Sequence, residues 1–112
     1  HGRVRNIMEY IAGVGADAVD PLEPPPQGDV LLKEVREKYG RELVLFGNIE
    51  IADIENMSPE KFRETVKRSL SDGTSGEGRG FVLMPTASPY GREISGRTLE
   101  NYQIMIEEAE KV

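Results

Sequence analysis

The chain has no cysteine, a single histidine and no apolar run that approaches the length of a membrane span. Without cysteine the protein forms no disulfide and uses no thiolate, and the plain expectation is a cytoplasmic protein. Because a membrane span needs about 20 consecutive apolar residues, no membrane partner is expected. With His1 as the one histidine, a histidine-rich metal site within this chain is also excluded.

Positive charge is scarce as well. The 14 lysines and arginines are outnumbered by 20 aspartates and glutamates, so that the net charge is -6. Proteins that bind nucleic acid usually concentrate positive charge on one face, and no run of Lys or Arg longer than two occurs here. Nucleic-acid binding is therefore not expected, and 38% apolar with 30% charged residues is typical of one globular domain.

Four segments have apolar residues at the spacing of a helix. They cover about residues 3–13, 29–40, 59–70 and 98 onwards. Asp29 and Ser58 are of the residue types that cap helix N-termini, and Pro59 suits the first position of a helix. Gly40 follows the second segment, as glycine often does at a helix C-terminus.

Three short apolar runs lie between these segments and predict buried strands. They are Ala16 to Leu22, the run ELVLFGNI and the run GFVLMPT. The glycine-rich segment SDGTSGEGRG is predicted to be a loop. Alternation of this kind predicts an α/β fold with about three parallel strands and four helices, joined by right-handed crossovers.

Each predicted strand ends in a polar or rigid segment. Because the carboxyl ends of parallel strands meet at one edge of a sheet, the candidate site residues are expected at a shared rim. Asp20 is the candidate catalytic residue. The candidate substrate-binding residues are Glu23, Gly47, Asn48, Ser88 and Tyr90.

Each candidate also has a simpler structural explanation. Asp20 is a residue type favoured in turns, and Glu23 between prolines can be a solvated rim residue. Gly47 and Asn48 can serve the turn alone, and a serine without a partner base is not a nucleophile. No CxxC, HExxH or Walker motif is present. The glycine-rich TSGEGRG precedes a predicted strand, so it offers no helix N-terminus to a phosphate.

Taken in order, the segments HGRVRNIMEYIAGVGADAVDPLEPPPQGDV, LVLFGNIE and GFVLMPTASPY resemble the C-terminal part of the uroporphyrinogen decarboxylase family. That family includes corrinoid-linked methyltransferases that act on methylated coenzyme M. The most specific elements are the D-P-x-E-P-P stretch and the L-x-G-N-I strand exit. The resemblance covers nearly all of residues 1–112. It implies a single partial domain, namely the last third of a (β/α)8 TIM barrel, a fold that normally takes about 250 residues.

The resemblance also implies partners and an activity. Strands taken from a barrel would have open edges, so the segment would self-associate or need the missing barrel half. The first interpretation is a lyase of porphyrin and heme biosynthesis that removes a carboxylate from a tetrapyrrole side chain without a cofactor. Asp20 would then be catalytic, and the rim residues would bind this small-molecule substrate. The isolated segment would be inactive, because the family's substrate-binding arginines lie in N-terminal strands.

The second interpretation is a zinc-dependent methyltransferase with His1 among the metal ligands, since neutral imidazole is a good zinc ligand. Ala87 stands where the decarboxylases have a histidine and the methyltransferases a zinc-binding cysteine. Each activity therefore lacks one residue of its family pattern. A third alternative is a non-catalytic interaction module that binds a partner through exposed apolar sheet surface.

Overall fold

The computed structural model describes all 112 residues and contains three parallel strands, five α-helices and one 3-10 helix. An α/β fold with three parallel strands is therefore confirmed. No helix combines the length and the apolar character that crossing a membrane requires. The elements in chain order are a 3-10 helix at Arg5–Ile7, α1 Met8–Gly13, β1 Ala18–Leu22, α2 Leu32–Tyr39, β2 Val44–Ile49, α3 Ile51–Asn56, α4 Pro59–Gly73, β3 Phe81–Pro85 and α5 Gly96–Ala109.

The sheet has the order β1-β2-β3, so the central strand is β2 and both outer strands have a free edge. Strands β2 and β3 pair in continuous register from Leu45 opposite Phe81 to Ile49 opposite Pro85. The pairing of β1 with β2 is interrupted between Val19 and Leu22. This interruption lies at the end of β1 that carries Asp20.

Two apolar clusters hold the helices against the sheet, and each buried aliphatic or aromatic side chain contributes about 1.5–3 kcal/mol. The first joins the N-terminal helices to β1 and β2, and the second joins α3, α4 and α5 to the end of β2. The first consists of Val4, Met8, Leu22, Val30, Leu32, Val35, Leu43 and Leu45. The second consists of Ile49, Ile51, Ile54, Phe62, Val66, Leu70, Ile104 and Met105.

The helix predicted from residue 29 begins later, and the prediction that Asp29 caps it is wrong. The N-cap position of α2 is Leu31. The Asp29 carboxylate instead accepts hydrogen bonds from the backbone amides of Val4, at 2.9 Å, and Arg5, at 3.0 Å. Asp29 therefore does not cap α2 but connects the N-terminal segment to the loop between β1 and α2.

Two further differences concern the following helices. The short helix α3 was not expected, because its two buried residues, Ile51 and Ile54, follow the apolar run of β2 after a single residue. Helix α4 begins at Pro59 as predicted, although the Ser58 side chain makes no capping hydrogen bond. It continues to Gly73, into the segment predicted to be a loop, since buried Leu70 and Gly73 pack in the core.

A buried arginine, Arg36, lies at the amino end of the sheet. The Arg36 side chain is almost fully buried, and its Nε donates a hydrogen bond to the carbonyl oxygen of Ser75 at 2.9 Å. Its Nη1 donates to the carbonyl oxygen of Gly80 at 3.4 Å. These two hydrogen bonds hold the glycine-rich segment between α4 and β3 against α2.

Leu45 of β2 is fully buried in the first cluster, whereas the next residue, Phe46, is only partly covered. Val82 of β3, the neighbour of Phe46 in register, is 39% exposed. One face of the sheet is therefore covered by helices, and the opposite face carries apolar side chains that remain accessible. Together with the two free edges, this face favours association.

We expect the chain to associate in a concentration-dependent way, and Val82→Lys to weaken that association. Burial of a valine contributes about 1.5–3 kcal/mol, so a roughly tenfold or larger rise in the dissociation constant is expected. Sedimentation equilibrium measures it. The control is Val14→Lys, at a valine that is 80% exposed after α1. A monomer at every concentration would contradict the prediction.

Candidate functional site

An open cleft lies at the carboxyl ends of the outer strands. Asp20 and Pro21 line it from β1, residues 84–89 line it from β3 and the loop that follows, and His1 and Tyr102 complete the wall. Proline cannot donate to a sheet ladder, so Pro21 and Pro85 suit the strand ends that open this cleft. Of the predicted site residues, the structure brings Asp20, Ser88 and His1 together here.

Glu23 is 8% exposed and does not line the cleft. Its Oε1 lies 2.5 Å from Nδ1 of His1, and its Oε2 accepts a hydrogen bond from the backbone amide of Gly2 at 3.0 Å. An imidazole whose Nδ1–H is donated to a carboxylate presents Nε2 as a proton acceptor. Glu23 thus orients the His1 ring, which is a different arrangement from direct contact with a substrate.

A second buried carboxyl, Glu50, lies between β2 and α3 and was missed by sequence reasoning. Its Oε2 accepts a hydrogen bond from the Thr86 hydroxyl at 3.2 Å, while its Oε1 has no partner. The Thr86 hydroxyl in turn accepts from the amide of Ile51 at 3.4 Å. The two residues follow Ile49 and Pro85, which are neighbours in register. Their positions directly after two neighbouring strands could have predicted this pair from the sequence.

Burial raises the pKa of Glu50 above its ordinary value of 4.5, and the nearby Glu23 carboxylate raises it further. The hydrogen bond from Thr86 acts in the opposite direction. Because Thr86 lines the cleft and Glu23 holds His1 there, the Glu50 carboxyl lies directly behind the cleft wall.

Glu50→Gln is expected to make the protein more stable than the wild type at pH 7. The folded protein favours the protonated form of Glu50. Protonated Glu50 therefore stabilises the wild-type fold fully below pH 4.5, and this contribution is lost as pH rises through the raised folded-state pKa. Glutamine resembles the protonated carboxyl and does not titrate. The gain should disappear below pH 4.5, as measured by urea unfolding at several pH values. The control is Glu77→Gln, at an exposed carboxylate, where an effect of the same size and pH dependence would contradict this assignment.

Gly47 and Asn48 lie at the end of β2 and do not line the cleft. Gly47 has a φ of 139°, and a Cβ there would lie 3.3 Å from the carbonyl oxygen of Leu22, so glycine permits the close approach of β2 to β1. The Asn48 Oδ1 accepts a hydrogen bond from the Ser69 hydroxyl at 2.9 Å. Asn48 thereby lines a separate cavity on the side of the helices.

Tyr90 is 80% exposed and lies outside the cleft lining. Its backbone amide donates a hydrogen bond to the Glu55 carboxylate at 3.1 Å. The tyrosine that lines the cleft is Tyr102 of α5, which sequence reasoning missed because an aromatic residue at helical spacing is usually core. Partial burial raises the pKa of Tyr102, and the charge of Glu55 adds to this effect, so its hydroxyl stays a hydrogen-bond donor.

No group of three or more histidine, aspartate or glutamate side chains is placed to hold a metal ion. His1 and Glu23 supply one nitrogen and one carboxylate, whereas a zinc site takes three or four protein ligands. The side chains of this chain therefore do not make a complete zinc site. What the cleft does offer is an exposed carboxylate at Asp20, an oriented imidazole at His1 and hydroxyls at Ser88 and Tyr102.

No protein-family model and no curated protein matches this chain. Its function is therefore inferred from the chemistry of the cleft. A carboxylate beside an oriented imidazole suits the stabilisation of a positive centre and the movement of a proton.

Proposed function

We propose that the chain is the C-terminal part of a cytoplasmic (β/α)8 barrel enzyme that resembles the uroporphyrinogen decarboxylase family and removes a carboxylate from a tetrapyrrole side chain. The observation that carries the proposal is the cleft at the carboxyl ends of the strands, where Asp20 lies with His1 and the loop after β3. The uncovered sheet face and the free strand edges support the barrel origin, because a barrel would cover both.

The proposed reaction uses a protonated pyrrole as the electron sink. Protonation of a ring carbon makes the pyrrole cationic, and the bond to the carboxylate carbon then breaks with loss of carbon dioxide. The bonding electrons neutralise the ring and leave an exocyclic methylene group. The methylene carbon then takes a proton to become a methyl group, while the ring carbon gives up the proton that it had gained and the pyrrole is restored. A carboxylate that is already in place when the positive charge develops stabilises it without reorganisation.

The side chains of this chain would divide these tasks. Asp20 would face the cationic pyrrole, and its exposure in the cleft leaves its carboxylate free for that contact. His1, oriented by Glu23, would carry a proton to or from the substrate through Nε2. Ser88 would donate a hydrogen bond to a substrate carboxylate. No cofactor takes part in this sequence of steps.

The test is decarboxylation by the whole barrel protein that this chain would complete. Uroporphyrinogen is incubated with it under reducing conditions, and the products are oxidised and separated by the number of carboxylates that remain. Products with successively fewer carboxylates are expected from the whole protein and none from the isolated chain, which lacks part of the cleft. If the whole protein leaves the substrate intact, the proposal is wrong.

A second function, a zinc-dependent methyltransferase, is favoured by one contact. Histidines that bind metal usually donate their other ring N–H to a carboxylate or carbonyl, and His1 makes such a contact with Glu23. Further ligands would have to come from outside this chain, so no step is derived through the metal. Stoichiometric zinc in the whole protein, lost in His1→Ala and kept in Arg3→Ala, would support this function, and a metal-free protein would remove it.

A further inference from the structure

A second cavity, of about 520 Å³, lies on the helix side of the sheet. It is bounded by the loop between β1 and α2, by the start of α2, and by α3 and α4, and it shares no residue with the cleft. Pockets for small molecules commonly have volumes of roughly 300–1,000 Å³. The cavity is therefore large enough for a ligand of its own.

Four charged side chains of both signs surround this cavity, namely Lys33, Arg68, Asp53 and Asp72. None of them takes part in an ion pair, although eight such pairs form elsewhere in the protein. Arg68 is near enough to Asp53 to lower the pKa of that carboxyl without forming a contact pair. None of the four charges is therefore paired in a contact with another side chain.

Two polar residues that are hydrogen-bonded to each other, Asn48 and Ser69, line the cavity next to the sheet. Ser69 is almost fully buried, and its hydroxyl donates to the Oδ1 of Asn48. This bond fixes the Asn48 side chain while its amide hydrogens stay free to donate. Partial burial raises the pKa of Asp53 and outweighs the opposing effect of Arg68. A cationic ligand group beside Asp53 would offset that cost by favouring the ionised carboxylate.

We propose that this cavity binds a small zwitterion of the amino-acid class. The ligand carboxylate would lie between Arg68, Lys33 and the amide of Asn48, and its ammonium group would lie toward Asp53 and Asp72. A simple anion would meet two carboxylates, and a simple cation would meet two positive side chains, so each lacks half of the favourable contacts. This site is separate from the proposed decarboxylation, and its failure would leave that proposal untouched.

The first experiment is an amide NMR titration of the chain with L-serine, L-glutamine and L-leucine. At least one is expected to give saturable shifts near residues 31–33, 48, 53 and 68–72 with a dissociation constant of about 1 mM, equivalent to roughly -4 kcal/mol. For serine, the matched controls are ethanolamine, which lacks the carboxylate, and 3-hydroxypropanoate, which lacks the ammonium group. Both should bind at least about tenfold more weakly than the zwitterion. Equal binding of either control, or no saturable shift with any of the three amino acids, overturns the proposal.

Variants then test the two ends of the ligand separately. Arg68→Gln and Asp53→Asn remove one charge each from partly or fully exposed positions, and each should weaken binding about tenfold or more, the loss expected for one charged hydrogen-bonding partner. Lys33→Gln gives an independent measure at the carboxylate end. The control is Arg41→Gln, at an exposed arginine that pairs with Glu77 far from the cavity. Unchanged binding in both Arg68→Gln and Asp53→Asn would rule the site out.

Discussion

Gly28→Ala is expected to destabilise the protein by about 3 kcal/mol or more, at or beyond the upper end of the cost of overpacking. A Cβ at this position would lie 1.9 Å from the carbonyl oxygen of Glu23 and 2.5 Å from its carbonyl carbon. Both are backbone atoms, so no change of side-chain rotamer relieves the clash. The loop between β1 and α2 would have to open, and the hydrogen bond from the Gly28 amide to the carbonyl of Pro24 would be lost.

Urea unfolding measures this effect, and Gly13→Ala is its matched control. Nothing lies within 4 Å of a Cβ built on Gly13, so that variant should change stability by less than about 1 kcal/mol. The two variants make the same chemical change. Equal stability of both would mean that the loop does not hold Glu23 as described. A second readout is the His1 ring signal, which should shift in Gly28→Ala because Glu23 would no longer fix the imidazole.

Under the proposed function, Asp20→Asn in the whole protein is expected to lower kcat for tetrapyrrole decarboxylation by about 10²–10³, the range for removal of one preorganised electrostatic group. Asparagine keeps the size of the side chain and removes the negative charge that would face the cationic pyrrole. The loss should lie in kcat more than in KM, because the positive charge develops only on the way to the transition state.

The control for Asp20→Asn is Asp17→Asn, which makes the same change just before β1, at the opposite end of the strand. The Asp17 carboxylate is exposed and pairs with Arg79, and exposed pairs of this kind contribute little. Steady-state kinetics on both variants separates a role in the cleft from a general effect of charge. Retention of the wild-type kcat by Asp20→Asn would remove Asp20 from the mechanism.

The elements that sequence reasoning found are those whose signals are local. The combination of Ser58 and Pro59 marks the start of α4, and the unbroken apolar run of β2 marks a strand covered by neighbours. Helix α3 was not predicted because it has only six residues and two buried isoleucines. Periodicity cannot distinguish so short a helix from the end of the strand before it. Asp29 was misassigned as a cap because its partners, Val4 and Arg5, are 24 or more residues away in sequence.

The same distinction applies to the site. Polar residues after each strand could be placed at one end of the sheet from the pattern alone, and Asp20 and Ser88 do share the cleft. The pattern cannot say on which side of the sheet a side chain lies, and Asn48 lies on the helix side with Ser69. It also cannot show burial. Glu23 looks like a rim residue in sequence but is held beneath the cleft by His1, and the buried Glu50, which bonds to Thr86, was not predicted.

The buried Arg36 has a consequence for how this fold can change in evolution. Its guanidinium holds the carbonyl groups of Ser75 and Gly80, and Gly78 packs so closely that a Cβ there would lie 2.5 Å from the guanidinium carbon. Substitutions at that end of the sheet would therefore act on stability. Ala87 and Ser88, which line the cleft at the opposite end, are exposed, so substitutions there should cost the fold little. Positions 87 and 88 can therefore change in evolution more freely than Arg36 and Gly78.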